Sequence, residues 1–202
     1  MKAAVMLSAV ALVAFAAPAD AQFSKPQAAR KTWVTGWVGG FVNPGRIYDP
    51  ASSSTWDFGS AFSGGLGLHR NFGDALALGI EASFAPARFE RRDPASDNAL
   101  LEDGNARLVT TMLTGRLRTG GGGAFGMYLT GGAGALFYGM PSLNRWDPDL
   151  ALMTGAGLEY KPSANKALFI EWGRYWTFHQ SEGVEDNSAR MSQIRGGIRI
   201  GF

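Results

Sequence analysis

Cysteine is absent from the chain, so it has no disulfide framework, no thiolate metal site and no cysteine nucleophile. Charge is sparse. Charged residues make up 18% of the chain, 19 basic against 17 acidic, for a net charge of +2. No block of one sign stands out, so nucleic-acid binding has no electrostatic footing. Histidine occurs only at His69 and His179, and two imidazoles so far apart in sequence do not make a metal site. No cofactor is implied. What the chain does have is apolar bulk: 46% hydrophobic and 12% aromatic over 202 residues, enough for one folded domain and too much for disorder. Glycine is in excess, at 28 residues, about twice its usual share.

Residues 1–21 read as a secretory signal peptide. Met1-Lys2 is a short positive start, Ala3 to Ala17 an apolar run, and Ala19-Asp20-Ala21 a small-x-small cleavage site. The domain then spans residues 22–202. A second uncharged stretch, Thr119 to Asn144, is long enough to span a bilayer. Its nine glycines and its proline make poor helix.

The rest of the chain alternates with period two, the signature of half-buried strands. Eight segments show it: 32–42, 56–70, 75–89, 105–118, 124–138, 150–160, 167–178 and 190–202. In the second, Phe58, Phe62, Leu66 and Leu68 are read as one apolar face. In the third, Leu76, Leu78, Ile80, Ala82 and Phe84 oppose Ala77, Gly79, Glu81 and Ser83. Only the first segment leaves its faces open, because the Trp33/Trp37/Phe41 row and the Val34/Val38/Val42 row are both apolar.

Connections alternate as well. Those after the second, fourth and sixth segments are short, whereas 43–55, 90–104, 139–149 and 179–189 are read as longer polar loops. One end of the structure then carries the turns and the other the loops. This is the arrangement of an all-β fold, an eight-stranded antiparallel up-and-down barrel. Mid-strand charges such as Glu81 and Arg195 are costly on a lipid-facing row, at about 2–4 kcal/mol for a base at the midplane. The apolar row is therefore expected to face lipid, and the small or polar row the lumen. An eight-stranded lumen is only wide enough for side chains. Glycines 79, 126, 132, 134, 155, 157, 173 and 197 are accordingly expected to make room for long charged neighbours.

The signal peptide, the eight alternating segments, GLEYKPSANKALFIEWGRYW and the terminal IRGGIRIGF together resemble the small outer-membrane barrels of OmpA, OmpX and OmpW type. The resemblance implies a transmembrane β-barrel in a bacterial outer membrane, monomeric, with surface-exposed loops and outer-membrane lipids and lipopolysaccharide as surroundings. It implies that Ile198, Ile200 and Phe202 form the C-terminal signal read by the barrel-assembly machinery. It further implies a structural or interaction role, or passage of small hydrophobic compounds.

Six charges are expected to form a lumen network: Glu81, Arg116, Glu159, Glu171, Arg195 and Arg199. Glu81 and Arg195 are placed near mid-barrel and the other four near the short-turn edge. Such a network either closes the tube as a salt-bridged plug or lines a narrow, gated or anion-preferring channel. His179-Gln180-Ser181 resembles the His-x-Ser pair of lipid A deacylases, with His179 as base and Ser181 as nucleophile. Glu182 stands where that family has Asn, and Gln193 lies where its acid would be. Glu182, Glu185 and Asp186 are candidates for a divalent ion bridging to lipopolysaccharide, and Arg145, Trp146, Asp147 and Asp149 for a recognition tip. His69 reads as a lumen or rim residue.

Overall fold

The computed structural model describes residues 32–42, 46–49, 53–119, 123–140, 145–178 and 188–202. The signal-peptide assignment therefore lies outside the described residues. The strands in chain order are β1 (Thr32–Val42), β2 (Arg46–Asp49), β3 (Ser54–Phe58), β4 (Ala61–Phe72), β5 (Leu76–Asp93), β6 (Ala99–Thr119), β7 (Phe125–Met140), β8 (Arg145–Ser163), β9 (Lys166–Phe178) and β10 (Ser188–Gly201). Eight of them close a barrel. The circuit runs β1–β4–β5–β6–β7–β8–β9–β10 and back to β1, every pairing antiparallel. At the seam Trp33 opposes Gly201 and Val42 opposes Ser192, and the Phe202 N–H donates to the Thr32 carbonyl at 2.9 Å.

Alternation decides which side chains face outward. Leu66, Leu113 and Met127 are 68%, 67% and 61% exposed, and Ile80, Leu129, Leu158, Ile170 and Ile194 line the same outer wall. An apolar surface of this extent does not face water. A closed barrel, with its backbone bonded strand to strand, can present it to hydrocarbon. Within the first segment the aromatic row goes in: Trp33, Trp37 and Phe41 are buried while Val34, Val38 and Val42 are exposed. Gly65 makes this possible, since a Cβ there would meet the Trp37 ring.

The second segment departs from the expected faces. Phe58 points inward, with Trp56, whereas Phe62 and Leu66 point outward. From Phe58 to Gly64 is six residues, but their partners on β5, Phe89 and Phe84, are five apart. The extra residue falls at Gly59–Ser60, between β3 and β4, and a one-residue insertion exchanges the two faces.

The expected long loops are also shorter than their polarity implies. Residues 90–104 are mostly strand, because β5 reaches Asp93, β6 begins at Ala99, and they stay paired across a register shift at Arg91/Arg92. Turn chemistry confines the connection to five residues. The Asp93 carboxylate accepts from the Ala95 N–H (2.9 Å) and the Ser96 hydroxyl (2.7 Å), and Asp97 and Asn98 take φ of 53° and 56°. Within 43–55, β2 pairs with β3, which continues onto β5. Within 139–149, β7 reaches Met140 and β8 starts at Arg145. A sheet of β2, β3 and the ends of β5 and β6 thus prolongs the barrel at its long-loop end.

Candidate functional site

The inward row divides the lumen into two layers. In the short-turn half it is charged. Glu81, on β5, accepts from Arg116 of β6 at 2.5 Å and Arg195 of β10 at 2.6 Å, and its other contact is His69 Nε2 of β4 at 3.1 Å. Arg195 also donates to Glu171 of β9, through Nε at 2.8 Å. Arg116 Nε lies 4.0 Å from the same carboxylate. Glu159 of β8 receives Arg199, with Arg118 at 3.5 Å and Lys161 at 3.4 Å.

Aromatic rings frame these ions. Arg199 lies over Phe169 at 4.1 Å and over Tyr128 at 4.7 Å, and donates to the Tyr128 hydroxyl at 2.8 Å. Arg195 lies 4.9 Å from the Trp37 ring centre. His69 is further fixed by Thr114 Oγ1 at 3.1 Å and Thr35 Oγ1 at 3.4 Å. The six charges singled out in the sequence thus sit in two linked clusters of one layer. Glu81 and Arg195 are not set apart at mid-barrel from Arg116 and Glu171. Barrel strands tilt by about 35–45°, so residues at different distances from their turns reach the same height.

Glycine supplies part of the space. A Cβ on Gly79 would strike the His69 ring, and one on Gly157 the Tyr128 ring. The expectation fails at Gly126, where a Cβ would meet nothing within 4 Å, and at Gly173, whose nearest atoms are 3.8 Å away.

The long-loop half of the lumen is apolar, contrary to a row expected to be small and polar throughout. Phe41, Ile47, Trp56, Phe58, Phe89, Leu108, Leu136, Tyr138, Met153, Tyr175 and Met191 form one buried cluster. Phe58 stacks on Tyr138 at 5.1 Å, and Phe41 meets Tyr175 edge-on at 5.7 Å. Three hydrogen bonds cross this layer: Tyr138 donates to Thr177 (3.1 Å), Tyr175 to Gln193 (3.0 Å), and Gln193 to Ser63 (3.2 Å). The hairpin β2–β3 contributes Ile47, Trp56 and Phe58 to this layer.

A model of the outer membrane protein β-barrel domain matches residues 7–197. The chain belongs to that family. Its place is accordingly the bacterial outer membrane, and the apolar wall is the surface that lipid covers. Among solved structures, the barrel is similar to Neisserial surface protein A, with a TM-score of 0.59 at 13% identity over 87% of this chain and all of that one. It is also similar to OprG from Pseudomonas aeruginosa, with a TM-score of 0.50 at 15% identity over 86% of this chain and 96% of that one. At these identities the likeness is one of fold. No curated protein matches the chain.

Other candidate residues divide between the outer surface and the undescribed segments. His179, Ser181, Glu182, Glu185 and Asp186 lie outside the described residues. Trp146 is exposed on β8, whereas Asp149 is buried. Ile198, Ile200 and Phe202 are exposed on the lipid-facing row. Sequence reasoning missed Arg118, Lys161 and Tyr128 as members of the charged layer. The signal was present: inward parity on β6, β8 and β7, at the short-turn end where Glu159 and Arg199 also lie.

Proposed function

We propose that this protein is a monomeric outer-membrane barrel whose lumen is filled rather than conducting, and whose function lies in surface contacts at its long-loop end. One observation carries the reading. Above the ion-paired layer lies a layer in which Trp56, Leu108 and Leu136 are 0% exposed and Phe41 and Phe89 are 1% exposed. A permeating ion would have to cross both. In this reading residues 1–21 direct export and are removed. The Ile198/Ile200/Phe202 row is the recognition element for barrel assembly. The arm built from β2, β3, β5 and β6 faces outward as the interaction surface, with no catalytic step.

A narrow channel is the second reading. Arg118 and Lys161 lie at the short-turn mouth beyond the three-acid, three-arginine core, a cationic excess that would favour anions. Planar-bilayer recording separates the two. The filled barrel gives no discrete conductance steps. Steps in the wild type that change in Arg118→Ala would establish the channel instead. If catalysis through His179 and Ser181 occurs, expression changes lipid A masses and His179→Ala restores them; unchanged masses retain the non-catalytic reading.

A further inference from the structure

The outward row of β9 runs Leu168, Ile170, Trp172, then Arg174, Trp176 and Phe178; that of β10 runs Phe202, Ile200, Ile198 and Ile194, then Ser192 and Arg190. The register sets Arg174 between Ser192 of β10 and Thr154 of β8, and Arg190 opposite Trp176. Arg174 and Arg190 are therefore diagonal neighbours on one face, with Cβ atoms about 7–8 Å apart or less. An arginine side chain is long enough to span much of that separation, so one ligand group can lie within range of both. Two hydroxyls lie in the transverse row with Arg174, and Trp176 stands beside both cations. Arg190 and Thr154 are exposed, and Arg174 and Ser192 half-buried.

Among the described residues these arginines have no protein counter-ion. The ion pairs of the described residues lie in the lumen or on the β2–β3–β5–β6 arm, and neither Arg174 nor Arg190 takes part in them. A base on the lipid-facing row is costly at the midplane and cheap at the interface. Two such bases, at the long-loop end of an apolar wall and flanked by tryptophan, belong at headgroup level.

A second arginine pair on the wall serves as an internal comparison. Arg88 opposes Asn105, and Pro86 opposes Arg107, so Arg88 and Arg107 are also diagonal neighbours. The next outward positions above them are Glu90 and Asp103, directly opposite one another. Those carboxylates repel an anion. No carboxylate occupies the outward row at Arg174, Trp176 or Phe178, or at Arg190 or Ser192.

We propose that Arg174 and Arg190, with the hydroxyls of Thr154 and Ser192, bind the phosphate monoester of a phosphorylated glycolipid in the outer leaflet. Trp176 packs against the sugar, and the apolar wall below receives the acyl chains. A monoester carries about −1.5 to −2 charge and three acceptor oxygens, which suits two guanidinium forks and two hydroxyl donors. A phosphodiester offers less charge and fewer free oxygens.

Native mass spectrometry of the detergent-solubilised, folded protein tests the proposal, with purified lipid A as the probe. Wild type is expected to retain one lipid A molecule as a discrete adduct. Arg174→Gln with Arg190→Gln should weaken that adduct about thirtyfold, roughly fivefold for each base at a charged membrane surface. Arg88→Gln with Arg107→Gln should keep it. An undiminished adduct in the first double variant overturns the assignment. So does equal binding of dephosphorylated lipid A, of phosphatidylglycerol, or of inorganic phosphate alone. If that double variant fails to show folded gel migration, the wild-type comparison of lipid A with its dephosphorylated form decides the matter without it.

Discussion

Glu81 holds side chains from three other strands at once: His69 of β4, Arg116 of β6 and Arg195 of β10. Removing one member of a buried ion cluster strands its partners, at a typical cost of about 3–5 kcal/mol. Glu81→Ala is therefore expected to lower the urea midpoint of unfolding far more than Lys161→Ala, which leaves Glu159 with Arg199 and Arg118. Equal midpoints for the two variants would mean that water reaches the Glu81 site. The six charges were legible as inward residues, because period two alone assigns the face. Their partners were not, because depth depends on tilt and shear, which no single strand encodes. Tyr128 illustrates this: it shares its row with Gly126 and Thr130, and nothing local says that Arg199 of β10 will reach its hydroxyl.

Among the elements, the β5–β6 turn has a pH dependence that can be worked out. Two donors, the Ser96 hydroxyl and the Ala95 N–H, hold the Asp93 carboxyl below its usual range in this solvent-exposed turn. A carboxylate whose value is depressed on folding contributes order that is complete above its unfolded pKa and is lost as pH falls through the folded value. Amide exchange at Ala95, corrected for its intrinsic pH dependence, should stay protected through the ordinary aspartate range and lose protection only below it. Asp93→Asn should show no such step. Loss of protection at the ordinary aspartate pKa would show that these bonds do not persist in solution.

The same turn shows why the strands were foreseen while their outer ends were not. Polar, charged residues from Glu90 to Gly104 carry no apolar alternation. The pairing is set by the turn and by ion pairs such as Arg91–Glu102 at 3.6 Å. The hairpin β2–β3 was hidden for a related reason. Its inward residues, Ile47 and Trp56, alternate over too short a run to register, and the phase break at Gly59–Ser60 disguises Phe58. Trp56→Ala removes the largest side chain of the apolar layer and should cost about 3–5 kcal/mol, read as a lower urea midpoint. A change within a few tenths of a kcal/mol would place the indole outside the packed layer.

For the molecule as a whole, the decisive contact is the seam between β1 and β10, which joins the two ends of the described chain. Closure here is tight on the lumen side. A Cβ on Gly39 would lie 2.7 Å from the Arg195 Cα, and one on Gly197 would lie 2.8 Å from the Trp37 Cα. Both collisions are with backbone, so no rotamer change relieves them. From this seam Arg195 and Arg199 of β10 reach the carboxylates of β5, β8 and β9. Gly39→Val and Gly197→Val should therefore act on the whole barrel. An unsealed seam leaves backbone donors and acceptors unpaired in hydrocarbon, several kcal/mol for each group, so the failure is all or none. Both variants are expected to lose the heat-modifiable gel migration of a folded barrel after refolding into detergent. Gly126→Ala, in a lumen position with open space around it, should keep that migration and a wild-type urea midpoint. If Gly197→Val folds as well as Gly126→Ala, the seam has room that the register does not show, and barrel closure does not depend on glycine at this position.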